Sequence, residues 1–445
     1  MSATLGSFVA GDTRSPFARL LLIGGLLLLL QIPACQIAEL QRARSATRDE
    51  AVKDIAKTWA GRQSVAGPYL VVPFRTRDAR GAWSAADEAH PLVITPATLD
   101  FDGAASAEAR RRGVFEIPVY RAELKLRGHF DPPRADAGVL EASAAPQWDR
   151  AQLVLLLADP RALEHPPQLH WRGQTIALQP GAGLAGGAGL HAPLPELAAD
   201  LGGEFEIQLA TRGSGGLYFS PVGRDTHAAL RSPWPHPDFE GGWLPASHEI
   251  GAQGFSAEWN VPFVARGLPA SWVAGSVPVE TLSALASGVE FVYPVDPYRM
   301  SERSLKYCVL FIGLTFLTVW LFEVRTGTVV HPLQYFLIGC ALCLFYLLEL
   351  TLAEQLGFGL AYALASTAVT LQVSLYGRAA LKGGSGALLL CAASGTLYGL
   401  LFLLLREEDS ALLIGSFALF VVLSAVMFLT RRLAPAPRVI DAEVG

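Results

Sequence analysis

Six stretches of the chain are apolar for long enough to cross a bilayer, whose hydrocarbon core of about 30 Å takes about 20 helical residues. They are 17–37, 305–322, 333–353, 358–376, 386–405 and 411–430. The last five follow one another through short loops. Between the first and second lies a long segment of different character. Its start reads as a helix: Val52, Ile55 and Trp59 share one face, and Asp49 and Lys53 stand four apart. This helix is expected to prolong the first span and to stop at Gly61 and Gly67-Pro68.

The pattern then changes to period two. Tyr69 to Phe74 is a short β-rich run. Tyr120, Ala122, Leu124, Leu126, Gly128 and Phe130 alternate with Arg121, Glu123, Lys125, Arg127 and His129, one face buried and the other wet. Phe205, Ile207 and Leu209 alternate in the same way with glutamate and glutamine. Trp171-Arg172-Gly173-Gln174 sits between the strand-like runs Gln168-Leu169-His170 and Thr175-Ile176-Ala177-Leu178 as a hairpin turn. The glycine-rich 181–189 and the proline-rich 233–237 punctuate further runs. Many short strands with such punctuation predict an antiparallel sandwich. A weak echo between Thr95-Pro96-Ala97-Thr98 and Leu244-Pro245-Ala246-Ser247 leaves open two related sheets.

Composition agrees with a hybrid. Of 445 residues 51% are hydrophobic and only 17% charged, against about 25% in soluble domains. Residues 38–303 hold 25 of 35 Lys/Arg and 31 of 40 Asp/Glu. The fold class expected is therefore a membrane protein with one anchor helix, five C-terminal spans and a large β-rich, sandwich-like domain. The expected divisions are 1–16, 17–37, 38–303, 304–430 and 431–445. A net charge of −5 offers nothing to nucleic acid. All five cysteines lie in or at apolar spans, so the β-rich domain folds without disulfides. Cys340-x-x-Cys343 reads as two small residues in a spanning helix.

Short-loop basic residues set orientation. Arg14, Arg19, Arg325, Arg378, Lys382, Arg431, Arg432 and Arg438 fall on one side, and Arg406 alone on the other. Both termini are then cytoplasmic, and 38–303 periplasmic in a bacterial inner membrane. An uncleaved anchor is the expected reading of the first span. A cleaved signal peptide and a lipoprotein signal at Ile32-Pro33-Ala34-Cys35 are the alternatives.

Several strings resemble the CreD family of bacterial inner-membrane proteins. They include Pro221-Val222-Gly223-Arg224, Trp234-Pro235-His236-Pro237, Trp243-Leu244-Pro245-Ala246, Gly254-Phe255-Ser256-Ala257-Glu258-Trp259 and Pro294-Val295-Asp296-Pro297-Tyr298. In the membrane part, Phe322-Glu323, His331-Pro332-Leu333-Gln334-Tyr335 and Phe345-Tyr346-Leu347-Leu348 do the same. The resemblance runs from the first span to the sixth. It implies a Gram-negative inner-membrane protein linked to envelope integrity, to a two-component regulatory system and to envelope and β-lactam stress. It brings no catalytic set. Glu349 departs from the pattern, which is mostly apolar at that place.

Candidate chemistry is sparse. His227, His236 and His248 with Asp225, Asp238 and Glu240 match no compact zinc spacing and read as structural. No nucleophile elbow, zincin or phosphate-loop motif occurs. Trp234, His236 and Trp243 make a rigid loop that either plugs the sandwich or offers a recognition surface. Glu349 and Gln372 are the intramembrane polar candidates, with Glu349 close enough to the outer boundary to snorkel. Gly357, Gly359, Gly377 and Gly395 are expected to allow close helix packing. No cofactor is implied. The expected partners are the lipid bilayer and an unidentified envelope component or protein. The expected function is non-enzymatic envelope maintenance. A transporter or permease, with Glu349, Glu354 or Gln372 lining a path, is the alternative, and an enzyme using the His236 region a third class.

Overall fold

A computed structural model describes residues 16–77, 81–84, 87–132, 144–194, 202–293, 296–381, 384–407 and 411–431. Arg14, Lys382, Arg432 and Arg438 lie outside them. The chain divides into two compact units, Arg48–Pro294 and the combination of Met1–Thr47 with Val295–Gly445. Residues 38–47 and 295–303 therefore fall with the helices.

The helices are α1 (Pro16–Trp59), α2 (Phe263–Arg266), α3 (Val279–Ala284), α4 (Pro297–Lys306), α5 (Cys308–Thr326), α6 (Pro332–Leu356), α7 (Phe358–Ala380), α8 (Gly384–Arg406) and α9 (Ala411–Thr430). Six of them, α1 and α5 to α9, are long and apolar enough to cross a membrane. In lipid the backbone must satisfy its own hydrogen bonds, which a helix does. The predicted spans thus appear with their ends displaced by a few residues. The largest change is before the second span, where α4 forms a separate amphipathic helix with Tyr298, Ser301 and Ser304 buried. Asp296 caps it by accepting from the Tyr298 amide at 3.0 Å. At the start of α6, His331 and Gln334 form a reciprocal capping box. Gln334 therefore serves its own helix end.

The first span and the helix after it form one element, α1, which ends at Trp59. Gly67-Pro68 does not stop it. That pair lies inside the first strand, where pairing is irregular between Ala66 and Tyr69, because proline has no amide to donate.

The strands run β1 (Gln63–Thr76), β2 (Asp87–Ile94), β3 (Thr98–Arg112), β4 (Phe115–Phe130), β5 (Ala144–Pro146) and β6 (Gln152–Leu157). Next come β7 (Gln168–Trp171), β8 (Gln174–Ala177), β9 (Gln179–Pro180), β10 (Gly189–Pro193), β11 (Gly203–Ser214) and β12 (Gly216–Ser220). The last are β13 (Asp225–Ser232), β14 (Pro237–Gly241), β15 (Ser247–Gly251), β16 (Gly254–Val261), β17 (Ser271–Val273) and β18 (Ser287–Phe291). They form two sheets. One orders β14-β18-β12-β1-β6-β10-β9, with β2 and β5 also on β1 and β17 on β2. The other orders β15-β16-β13-β3-β4-β11-β7-β8.

The sandwich is not wholly antiparallel. β1 runs parallel to β12, and β13 runs parallel to β3. The chain enters each sheet a second time in the same direction, which period-two patterning cannot register. The predicted alternations hold: Tyr120, Ala122, Leu124, Leu126 and Phe130 of β4 are buried, as are Phe205, Ile207 and Leu209 of β11. Arg172-Gly173 makes the β7–β8 turn with φ of 50° and 81°, the positive pair that a tight hairpin needs.

Both sheets feed one apolar core. Phe101 of β3 stacks on Phe219 of β12 at 5.1 Å. The Tyr120 hydroxyl donates to the Gly216 carbonyl of the opposite sheet at 2.8 Å, so a buried phenol is satisfied across the sandwich. The wet face of the eight-stranded sheet carries its own network. Glu206 accepts from Lys125 and Arg127, each at 2.9 Å, and from Gln208 at 2.6 Å.

These donors, Lys125 foremost, hold the Glu206 carboxyl down at about 2, against an ordinary value near 4.5. The folded state thus prefers the carboxylate. Its contribution is complete above the ordinary value and is lost as pH falls from there toward 2. Solvent screening keeps the effect to about 1 kcal/mol. Glu206→Gln should therefore flatten the acid limb of a melting-temperature profile between about pH 5 and 2. An unchanged acid limb would contradict the assignment.

Candidate functional site

Two groups of polar residues stand out, one in each unit. In the β-rich unit, alternation points Asp102 and Ala104 of β3, Glu123 and Lys125 of β4, Gln208 and Ala210 of β11 and Arg231 of β13 away from the core. Their register places Glu123 directly between Ala104 and Ala210. A carboxylate flanked by two methyl groups stands in a hollow, because its neighbours are too short to fill the space beside it. The hollow is one trough of about 920 Å³ that adjoins a second of about 520 Å³, with Glu123, His165 and Arg231 common to both.

The β15–β16 hairpin walls one side, where Glu249 and Ser256 line the trough in register with Arg231. Its turn depends on Gly254, whose φ is +119° and where a Cβ would lie 2.0 Å from the Ser232 carbonyl. Glu164 and His165 form the opposite rim. Arg121 is tied to Glu164 at 2.9 Å, and Arg231 to Asp102 at 2.8 Å. Arg121 also stacks on Trp59, whose ring meets Arg110 at 3.7 Å and Arg212 at 5.1 Å. The cations of the trough are thus occupied. Glu123 and Glu249 have no ion-pair or hydrogen-bond partner among the described residues. An apolar floor with two unpaired carboxylates suits an extended ligand that carries amino groups on aliphatic stems.

The Trp234–Trp243 segment lines neither trough, and it is not a single loop, because β14 (Pro237–Gly241) pairs with β18 within it. Trp234 is half-buried, and its indole donates to the carbonyls of His236 at 3.1 Å and Val292 at 3.0 Å. The His236 ring is exposed. Trp243 is half-buried too, and its carbonyl accepts from the indole of Trp259 at 3.1 Å. Both rings pack against the core. His227 faces Asn260, and His248 lies 5.4 Å from Phe239. Among the described residues no three His, Cys, Asp or Glu side chains gather as metal ligands.

In the helical unit, Glu349 does not snorkel. It is fully buried and accepts from the Ser304 hydroxyl of α4 at 2.7 Å. Gln372 faces outward from α7, so it lines no interior path. Glu354 accepts from the Tyr298 hydroxyl at 2.9 Å and lies 3.7 Å from Arg44. Of the four glycines expected at close helix contacts, Gly377 meets Leu390 of α8, whereas Gly359 and Gly395 face open space and Gly357 ends α6. Cys343 donates weakly to the Leu30 carbonyl at 3.9 Å, a structural role.

The trough escaped sequence reasoning, although its one legible signal was present. Alanine at wet positions of charged strands, at Ala104 and Ala210, marks missing bulk on the exposed face.

Comparison with known proteins settles the relationship. The sequence profile described as inner membrane protein CreD matches residues 15–434. Inner membrane protein CreD of Escherichia coli (strain K12) is 32% identical over 435 residues, 94% of each chain. The chain belongs to the CreD family. It is an inner-membrane protein of the CreD kind, with one N-terminal and five C-terminal candidate spans and a central region of two sheets. The CreD profile covers both the trough and Glu349.

Proposed function

We propose that this CreD-family chain maintains cell-envelope integrity under envelope and β-lactam stress, within a two-component response, by non-enzymatic binding through its β-rich unit. The observation that carries this reading is the trough, with Glu123 unpaired between two alanines. Its ligand is an extended envelope component that presents amino groups. The proposal places both termini in the cytoplasm and the β-rich unit in the periplasm. The eight-to-one distribution of short-loop basic residues supports that orientation.

Two tests follow. Reporter fusions at Leu178, Gly357 and Gly445 should read periplasmic, periplasmic and cytoplasmic in turn. A cytoplasmic signal at Leu178 would overturn the orientation. The double variant Glu123→Lys with Glu249→Lys should stay within about 1 kcal/mol of the wild type in stability, since both residues are on the surface. It should nevertheless fail to restore β-lactam tolerance to a strain that lacks the protein. Full restoration by a stably folded double variant would reject the trough as the binding site.

One observation favours the transporter reading as a second. Glu349 is a buried acid that meets polar side chains of another helix inside the helical unit, and ionisable residues at such depth mark ion or proton pathways.

A further inference from the structure

Glu349 lies on α6 with none of its surface exposed. One carboxyl oxygen, Oε2, takes the Ser304 hydroxyl. The other, Oε1, is buried and has no hydrogen-bond partner among the described residues. Ser301 is three residues before Ser304, so both hydroxyls lie on one face of α4. Ser301 is also buried and lies beside Glu349, and its Oγ has no hydrogen-bond partner among the described residues. The Tyr346 hydroxyl, about one turn before Glu349 on α6, is buried beside Cys308 and likewise has no hydrogen-bond partner among the described residues.

The surroundings supply no countercharge. The titratable groups that interact with Glu349 are Tyr346 on its own helix, Tyr362 from α7 and Tyr398 from α8. Cys308 of α5 lies beside Tyr346 and Cys343. No lysine, arginine or histidine pairs with Glu349 among the described residues. Two other acids of the unit that are not exposed are matched: Glu323 has Arg19, and Glu354 has Tyr298 and Arg44.

A bare carboxylate among apolar helices loses its hydration with nothing to replace it, so the charge must be neutralised where it stands. The open oxygen of Glu349, the spare hydroxyl of Ser301 and the bound hydroxyl of Ser304 are oxygen donors gathered at one point. We infer that Glu349, Ser301 and Ser304 form an intramembrane site for a small monovalent cation, H⁺ or Na⁺. Oxygen-only donors suit either ion. The site deepens the transporter reading and is independent of the trough, which lies in the other unit.

Infrared spectroscopy on the purified full-length protein in detergent tests this. In choline buffer at neutral pH, the C=O stretch of an un-ionised carboxylic acid should appear in the wild type and be missing in Glu349→Gln. If the cation is the proton alone, Na⁺ leaves that band unchanged. If Na⁺ shares the site, the band falls saturably as Na⁺ replaces choline, and this response is missing in Glu349→Gln. A spectrum with no Glu349-dependent acid band and no saturable Na⁺ response would overturn the site. Ser304→Ala keeps the acid and guards against a Glu349→Gln that fails to fold. It should shift the band and change its pH midpoint or Na⁺ half-saturation about tenfold, the weight of one hydrogen bond to a charged group. A band, midpoint and Na⁺ response all unmoved in Ser304→Ala would equally overturn the inference.

Discussion

Replacing Trp259 by alanine is expected to cost the β-rich unit about 3–5 kcal/mol, the range of buried aromatic deletions. Trp259 is the largest fully buried side chain among the described residues. Its ring meets Phe219 edge-on at 5.4 Å and Phe239 at 5.9 Å. Its indole donates to the Trp243 carbonyl, so the truncation also strips a partner from the loop that carries Trp243. Neighbouring rings are too rigid to collapse into the void, which keeps the cost at the upper end. Trp243→Ala, at a half-buried position, should cost less than half as much. Thermal unfolding followed by circular dichroism of the strands would measure both. A Trp259→Ala protein within about 1 kcal/mol of the wild type would contradict this packing.

The second large effect is expected at Glu323. It is buried near the end of α5, and its side chain serves three partners. Arg19 of α1 lies 2.5 Å away, the Tyr335 hydroxyl of α6 donates at 3.1 Å, and the Val330 amide also donates. One carboxylate therefore joins three helices. Glu323→Ala takes this shared acceptor from a guanidinium, a phenol and an amide, which costs about 3–5 kcal/mol for a buried pair broken on one side. Glu323→Gln still accepts from Tyr335 and Val330 and should cost less. Arg19→Ala combined with Glu323→Ala should cost less than the two single changes summed, because both singles remove the same ion pair. Unfolding in mixed detergent micelles would rank the variants. Equal stability of Glu323→Ala and wild type would remove Glu323 as a junction.

The burial of Glu349 and Glu323 illustrates how far sequence patterns reach. Glu349 sits in an apolar run and Glu323 at the edge of one, and the runs alone put Glu349 near a boundary where exposure costs little. The helix period tells which residues share a face, but not how that face is turned toward its neighbours. Rotation of α6 against α4 turns Glu349 inward to Ser304, 45 residues away in the chain. Rotation of α7 turns Gln372 outward. The small α4 also went unseen, since its amphipathic turns adjoin an apolar span and its cap depends on one side chain, Asp296.

The six helices, the β-rich unit between them, the faces of β4 and β11, and the likeness to the CreD family are all legible along the chain. Each follows from local properties: an apolar run long enough for lipid, a period of two, or a string of residues in order. Only the tertiary structure decided which distant elements meet. It made the sheets mixed through β1 with β12 and β3 with β13. It set Glu123 between Ala104 and Ala210 and so opened the trough. It brought the two serines of α4 to Glu349. The physical reason is common to all three: local periodicity names a face, whereas strand order and helix rotation are settled by burying the whole apolar surface at once.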